Sequence, residues 1–283
     1  MTSSDGSRRV FPMQQVGIRL CGMTILFQQQ WDEWHTAHEK RRADPHGFLA
    51  ITSLNWLNES PQRFDDAPGS WSTGPSGVVV SLADGEELVV DGVAVTGTHQ
   101  FAPLAERADI AVGWGKVVIE IARRGGFDVI RPRDPSSPVL AGYTGTSAYP
   151  ADEKWVVPGY FTPYESPRPT PVGSVSEGIE HVYESPGTVS FSVGGDELSL
   201  IAFNGATPGS LFVLFTDATS GLTTYAANRS LFIAPPGPDG SVTLDFNRAT
   251  NLPCAYTEFA TCPLPPAGNK LPVAIEAGEL KPQ

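Results

Sequence analysis

Residues 116–131 read KVVIEIARRGGFDVIR, and this stretch decides the fold. Two β-branched runs, 116–122 and 127–131, stand on either side of RRGG. Paired glycines between such runs supply the positive φ angles of a tight hairpin turn. Working outward, the same texture appears upstream in VVVSL (78–82) and ELVVDGVAV (87–95), with ADGE as a second hairpin turn between them. Downstream, residues 187–193, 197–203, 211–216, 222–226, 229–234 and 241–246 read as strands, and GGD, DATSG and PPGPDG supply their turns. The intervening 132–175 is proline-rich and reads as connective, with one strand near Trp155–Val157. Strands spaced roughly 8–12 residues apart, without helices between them, specify antiparallel sheets. The expected fold is mainly β, barrel- or sandwich-like, with an N-terminal helical segment packed on it.

That helix is carried by Phe27, Trp31, Trp34 and His38, which fall on one face of a 3.6-residue period. Asp32 and Glu33 lie upstream of Lys40, Arg41 and Arg42, an order that suits the helix dipole, and Pro45 stops the helix. Residues 47–57 (GFLAITSLNWL) read as a short helix or a buried strand. The chain divides into 1–22, a disordered or mis-started extension if Met23 is the true start; 23–60, the helical segment; 61–135, a first β block; and 136–283, a second β block with a proline-rich tail. The two blocks form one integrated domain.

Composition narrows the function. With 40% hydrophobic residues the chain can build a core, and 31 acids against 19 bases give a net charge of -12. Phosphate-backbone binders carry the opposite sign, so nucleic acid is not an expected partner. Three cysteines do not make a disulfide framework. Gln14, Gln15 and Arg19 interrupt the early apolar stretch, and Leu20 stands before Cys21 where a lipoprotein site needs a small residue. No run reaches the roughly 18 apolar residues of a membrane span. A cytoplasmic protein is expected, with no membrane partner, compatible with a homodimer.

Polar chemistry concentrates in the tail. Alternation through 241–247 puts Val242, Leu244 and Phe246 on one face and Asp245 and Asn247 on the other, with Arg248 next. An acid, an amide and a guanidinium at a strand end can orient a substrate, or can tie an irregular tail to the sheet. Cys254 and Cys262 are eight residues apart, wider than zinc spacing. Cys254 is a candidate thiolate nucleophile, although the favoured reading of both cysteines is as small buried hydrophobes. Arg131 and Arg133 bracket Pro132, where they can clamp an anion or pair with acids such as Asp134. Tyr225 and Arg229 can line the cavity that Arg248 faces, or belong to a solvated hairpin. Tyr256 reads as a core aromatic whose hydroxyl reaches one partner and is carried as a binding candidate. His35 and His38 share a helical face, but there is no HExxH and no third ligand in sequence, so no metal is expected. No Walker loop, nucleophile elbow or dinucleotide fingerprint is present, and no organic cofactor is expected.

The tail DFNRATNLPCAYTEFATCPLPPAGNKLPVAIEAGE, preceded by TDATSGLTTYAANRSL, resembles the bacterial family called domain of unknown function 1684. The resemblance extends from WDEWH and PHGFLAITSLNWL to the final GE, nearly the whole chain after Met23. Family members read DFNRAYNPPCAY where Thr250 and Leu252 stand here. The resemblance implies that Asp245, Asn247, Arg248, Asn251, Cys254, Cys262 and Asn269 belong to its most characteristic motif, and it implies no reaction.

The expected function is an enzyme without organic cofactor, a hydrolase or lyase acting on a small anionic or amide-bearing metabolite. Arg131, Arg133 and Arg248 hold the anion, Asp245 is the acid/base, and Asn247 with Asn251 orients substrate or water. The alternative is a non-catalytic β-barrel module holding a small ligand.

Overall fold

The RRGG turn forms as its sequence dictates. Gly125 and Gly126 take φ angles of 59° and 84°, and Val117–Arg124 pairs antiparallel with Phe127–Arg133. The computed structural model describes residues 14–282. Residues 1–13 of the expected extension lie outside the described residues, and helix α1 runs Gln14–Arg42. Among the described residues no helix is long and apolar enough to cross a membrane.

The first β block is a sandwich. One six-stranded sheet runs in the order Asn55–Trp56, Phe127–Arg133, Val117–Arg124, Asp109–Trp114, Leu88–Val90, Val93–Val95. A four-stranded sheet runs Gln62–Phe64, Ala67–Gly74, Gly77–Ser81, Thr98–Gln100. Between them Trp71, Val80, Leu88, Ile119, Ile121 and Ile130 are fully buried. The Trp71 indole N–H is satisfied inside this core by the Pro68 carbonyl at 2.7 Å. Residues 47–57 hold a 3₁₀ turn, Phe48–Ala50, and the short strand Asn55–Trp56.

The second block is a single curved six-stranded sheet, in the order Arg229–Ile233, Leu211–Phe215, Asp196–Asn204, Glu180–Val193, Val156–Gly173, Ser241–Asp245. Its outer strands approach each other without a ladder, so the sheet is a half-barrel. Leu200, Val213, Phe215, Leu244 and Phe246 fill it, and Leu271, Ile275 and Ala277 of the tail close it.

Four expectations about strands need correction. ADGE is not a hairpin turn, because Gly77–Ser81 and Leu88–Val90 belong to different sheets and the turn carries the chain from one to the other. Residues 87–95 are two strands, because Asp91 and Gly92 take φ angles of 50° and 78° and turn the chain as a hairpin. Residues 222–226 carry no strand; they follow a turn in which the Asp217 carboxylate accepts the backbone and hydroxyl protons of Thr219. The proline-rich stretch holds the longest strand, Val156–Gly173. Beyond Tyr160 this strand is paired on one side only, so Pro163, Pro167, Pro169 and Pro171 lie on a free edge, where a missing N–H costs little.

Candidate functional site

Helix α1 shows Phe27, Trp31, Trp34, His35, His38, Glu39 and Arg42 toward the protein, the face its period predicted extended by His35, Glu39 and Arg42. The corner after Asp245 docks it. The Trp31 indole donates to the Asn247 carbonyl at 3.0 Å, and the Arg248 guanidinium lies 5.4 Å from the Trp34 ring centre. The Asn247 side chain is saturated: it accepts from the Asp152 N–H at 2.9 Å and donates to the Asp152 carbonyl at 3.0 Å and to Asp245 at 2.9 Å. Asp245 also pairs with Arg248 at 3.0 Å. Asn247→Ala would leave the Asp152 backbone groups without these partners, and should lower stability by about 2 kcal/mol. Urea unfolding checks this, and an unchanged midpoint would deny the corner its role as a joint.

Docking the helix this way delivers a buried charged network. Arg42 is at its centre, donating to Glu279 at 2.7 Å, to Thr146 at 2.7 Å, to Glu39 at 2.9 Å and to the His38 ring nitrogen at 2.7 Å. Glu279 reaches this centre because Gly278 takes a φ of 75°; a Cβ there would lie 2.5 Å from the Ala249 carbonyl oxygen. Glu279 accepts from the Asn251 N–H at 2.6 Å and from the Tyr256 hydroxyl at 3.4 Å. Burial alone would raise the Glu279 carboxyl, but the His38 bond, the Arg42 charge and the Asn251 N–H together hold it below the usual range. Tyr256 is pushed up by burial and by the Glu279 charge, and Tyr143 by burial and its bond to Glu39, so both phenols stay protonated.

His38, Glu39 and Glu279 offer ligand atoms within 4.8 Å of one another, the spacing of a metal site. The Arg42 guanidinium already binds all three, so a fixed organic cation holds the position a metal would take.

The network opens to solvent at a cleft of about 700 Å³ between α1, the 139–147 segment and the tail. Its walls include His35, Glu39, Tyr143, Thr146, Tyr256 and Lys281, with Leu49 and Val139 as apolar floor. Its size falls within the range of small-molecule sites. Tyr143 donates to Glu39 at 2.5 Å, and the Thr146 hydroxyl lies 2.8 Å from both phenol oxygens. His35 stacks on Trp31 with ring centres 4.7 Å apart. Its Nε2 is buried without a hydrogen-bond partner, 4.0 Å from Glu39.

Of the residues nominated from sequence, Tyr256 lines this cleft and Asn251 lies beneath it. The others do not converge there. Arg131 and Arg133 both bind Glu120, at 2.5 Å each, in the first block. Arg229 is fully buried against Asp217 and donates to the carbonyls of Ile275 and Ala277. Asn269 is a wedge: it bonds the Ile201 N–H and carbonyl at 2.7 and 2.9 Å and the Leu214 carbonyl at 2.8 Å, where two strands part. The Tyr225 hydroxyl donates to the Cys254 carbonyl at 2.8 Å. Asp245, Asn247 and Arg248 lie together at the helix joint, outside the lining of the cleft. The expected anion clamp of Arg131, Arg133 and Arg248 does not assemble, because Arg131 and Arg133 share Glu120 in the first block while Arg248 pairs with Asp245 at the helix joint.

Sequence reading missed Arg42, Glu39, Glu279, Tyr143 and Thr146. One signal was available: Arg42 continues the stripe of His38 at i+4, and an arginine on a buried helical face needs an acid partner.

Comparison with known proteins places the second block and tail in a family. Residues 141–280 match the model described as "Protein of unknown function (DUF1684)", and the chain belongs to that family. The match spans the second block and tail, whereas the resemblance was expected from the helix onward. The solution NMR structure of an uncharacterized protein of Haloarcula marismortui is 32% identical, over 50% of this chain and 78% of that one, with a TM-score of 0.42. No curated protein matches the chain.

Proposed function

We propose that this member of the family is an enzyme without organic cofactor, a hydrolase or lyase, acting on a small amide-bearing molecule in the cleft beside α1. The observation that carries the reading is the His35 Nε2 atom, buried in a cleft wall without a partner and 4.0 Å from a carboxylate. An imidazole nitrogen without a hydrogen-bond partner is free to accept a proton, as a general base must, and the Glu39 carboxylate lies on that same side of the ring. His35 takes the proton of a water as its oxygen attacks the amide carbon. Tyr256, whose 3.4 Å bond to Glu279 is the longest in the network, turns to donate to the carbonyl oxygen. The amide half of the expected substrate class is carried forward. The anionic half is not, because one guanidinium at the site, Arg42, faces two carboxylates, Glu39 and Glu279.

One observation favours a second reading, a non-catalytic binding module. Glu39 is fully engaged by Arg42, Tyr143 and the Thr146 N–H, which suits a wall more than a reagent. A panel of small amides and esters, followed by thermal shift and by product analysis, separates the two. On the enzyme reading His35→Ala keeps ligand binding and the unfolding midpoint but loses at least about 100-fold in turnover. Turnover unaffected by that substitution sinks the assignment of His35. A ligand that binds the wild type and is recovered unchanged supports the binding module.

A further inference from the structure

We propose that Cys254 and Cys262 are a reversible dithiol–disulfide pair, oxidised by a hydroperoxide, with Cys254 attacking and Cys262 resolving. The tail folds the two together. The Cys254 N–H donates to the Cys262 sulfur at 3.3 Å, which sets that sulfur against the Cys254 backbone. Cys262 belongs to the apolar cluster of Val172, Phe203, Leu214, Leu252 and Ala260, and Cys254 packs against it.

Each cysteine is pinned by its backbone. The Cys254 carbonyl accepts the Tyr225 hydroxyl at 2.8 Å. The Cys262 carbonyl accepts the Val175 N–H at 3.0 Å and the Ser174 hydroxyl at 3.2 Å. Two thiols held in register this way meet without the entropy of closing the intervening loop. A structural role as small hydrophobes would need neither the mutual contact nor the asymmetry that follows.

The asymmetry assigns the roles. Cys254 is partly exposed and Cys262 is buried. Closeness to the Cys262 side chain lowers the Cys254 thiol against the effect of burial, while closeness to Cys254 and burial push Cys262 up. The accessible sulfur with more thiolate character is the attacking one. The Cys254 thiolate sulfur displaces hydroxide from the peroxide, forming S–O as O–O breaks, and the hydroxide leaves as water after protonation. The Cys262 sulfur then attacks the sulfenic sulfur. The S–S bond forms, the S–O bond breaks, and the second water leaves with the Cys262 proton. Two thiols lose two electrons and one peroxide gains them. An external dithiol reverses the step.

The test is titration of the full chain with hydrogen peroxide, alkylation of remaining thiols, and mass mapping of a non-reducing digest. Two of the three thiols should disappear together and return with dithiothreitol, and the linked peptide should join residues 254 and 262. Cys262→Ser should trap Cys254 as a sulfenic acid that reacts with dimedone, and Cys254→Ser should slow peroxide consumption at least about tenfold. The proposal is overturned if both thiols remain alkylatable after peroxide, if the disulfide engages Cys21 instead, or if wild-type Cys254 passes to sulfinic acid unlinked. The wild-type digest decides the matter even if a variant does not fold.

Discussion

Arg229→Met is expected to cost about 3–5 kcal/mol of stability, the scale for removing one partner of a buried ion pair. Both side chains of the Arg229–Asp217 pair are wholly inaccessible. Methionine fills much of the volume, so the loss is electrostatic. It leaves Asp217 with Thr219 on one carboxylate oxygen and nothing on the other. The same substitution frees the carbonyls of Ile275 and Ala277, through which Arg229 holds the tail in the mouth of the half-barrel. Two readouts separate these effects. The urea midpoint reports the buried charge, and Asp217→Asn in the Arg229→Met background should recover part of the loss, because it removes the stranded charge. Limited proteolysis reports the tail, which should become cleavable after residue 262 in both variants. A midpoint shift under about 1 kcal/mol would mean that water reaches Asp217 once the arginine is gone.

That pair also shows where sequence reading stops. The strands were legible because their signals are local: β-branched runs, paired glycines, and a period of two that holds from Ser241 to Asp245, where a 3₁₀ turn over Phe246–Arg248 takes over. The helix was legible for the same reason, since a 3.6-residue stripe is a property of one segment. The Val156–Gly173 strand was hidden because proline counts against a strand, and the free edge that excuses it is set by which strands pair. The Asp-Gly turn at 91–92 was written in the chain and was passed over within an apolar run.

The site was less legible than the fold. Sequence drew attention to the tail because acids, amides and arginines are dense there, and the density is real. Most of it is spent on joining an irregular segment to a sheet: Asn269 between two strands, Arg229 across the mouth, Asn247 under the helix. Irregular backbone must find side-chain partners, so a motif rich in such residues is as well explained by a joint as by a site. The cleft draws on α1, the 139–147 segment, residues 255–256 and residues 280–282, segments spread from His35 to Pro282 along the chain. No spacing rule connects them. The connection is electrostatic: Arg42, buried on a helical face, had to meet an acid, and the acid is Glu279.

Glu279→Gln should therefore destabilise the protein by about 3 kcal/mol and flatten its acid response. The carboxylate takes charge-assisted bonds from Arg42 at 2.7 Å and from the Asn251 N–H at 2.6 Å, with only 1% of its side chain exposed. A glutamine amide has one acceptor oxygen. Its NH₂ must face either the guanidinium or a backbone N–H, donor against donor, so one buried group goes unpaired. The pH dependence follows from the direction of the shift. His38, Arg42 and Asn251 hold the Glu279 carboxyl below its unfolded value in spite of burial. The contribution is then fully present above the unfolded value, roughly 4.3, and is lost as pH falls through the lower folded value. Other carboxylates of this chain titrate in the same range, so the informative quantity is the difference between wild type and variant. Urea unfolding at a series of pH values should show the two curves parallel from pH 7 to about 5 and converging below, as the wild type loses what the variant already lacks. Curves that stay parallel into acid would mean that Glu279 is not held as a carboxylate by Arg42, and the network beneath the cleft would lose its organising charge.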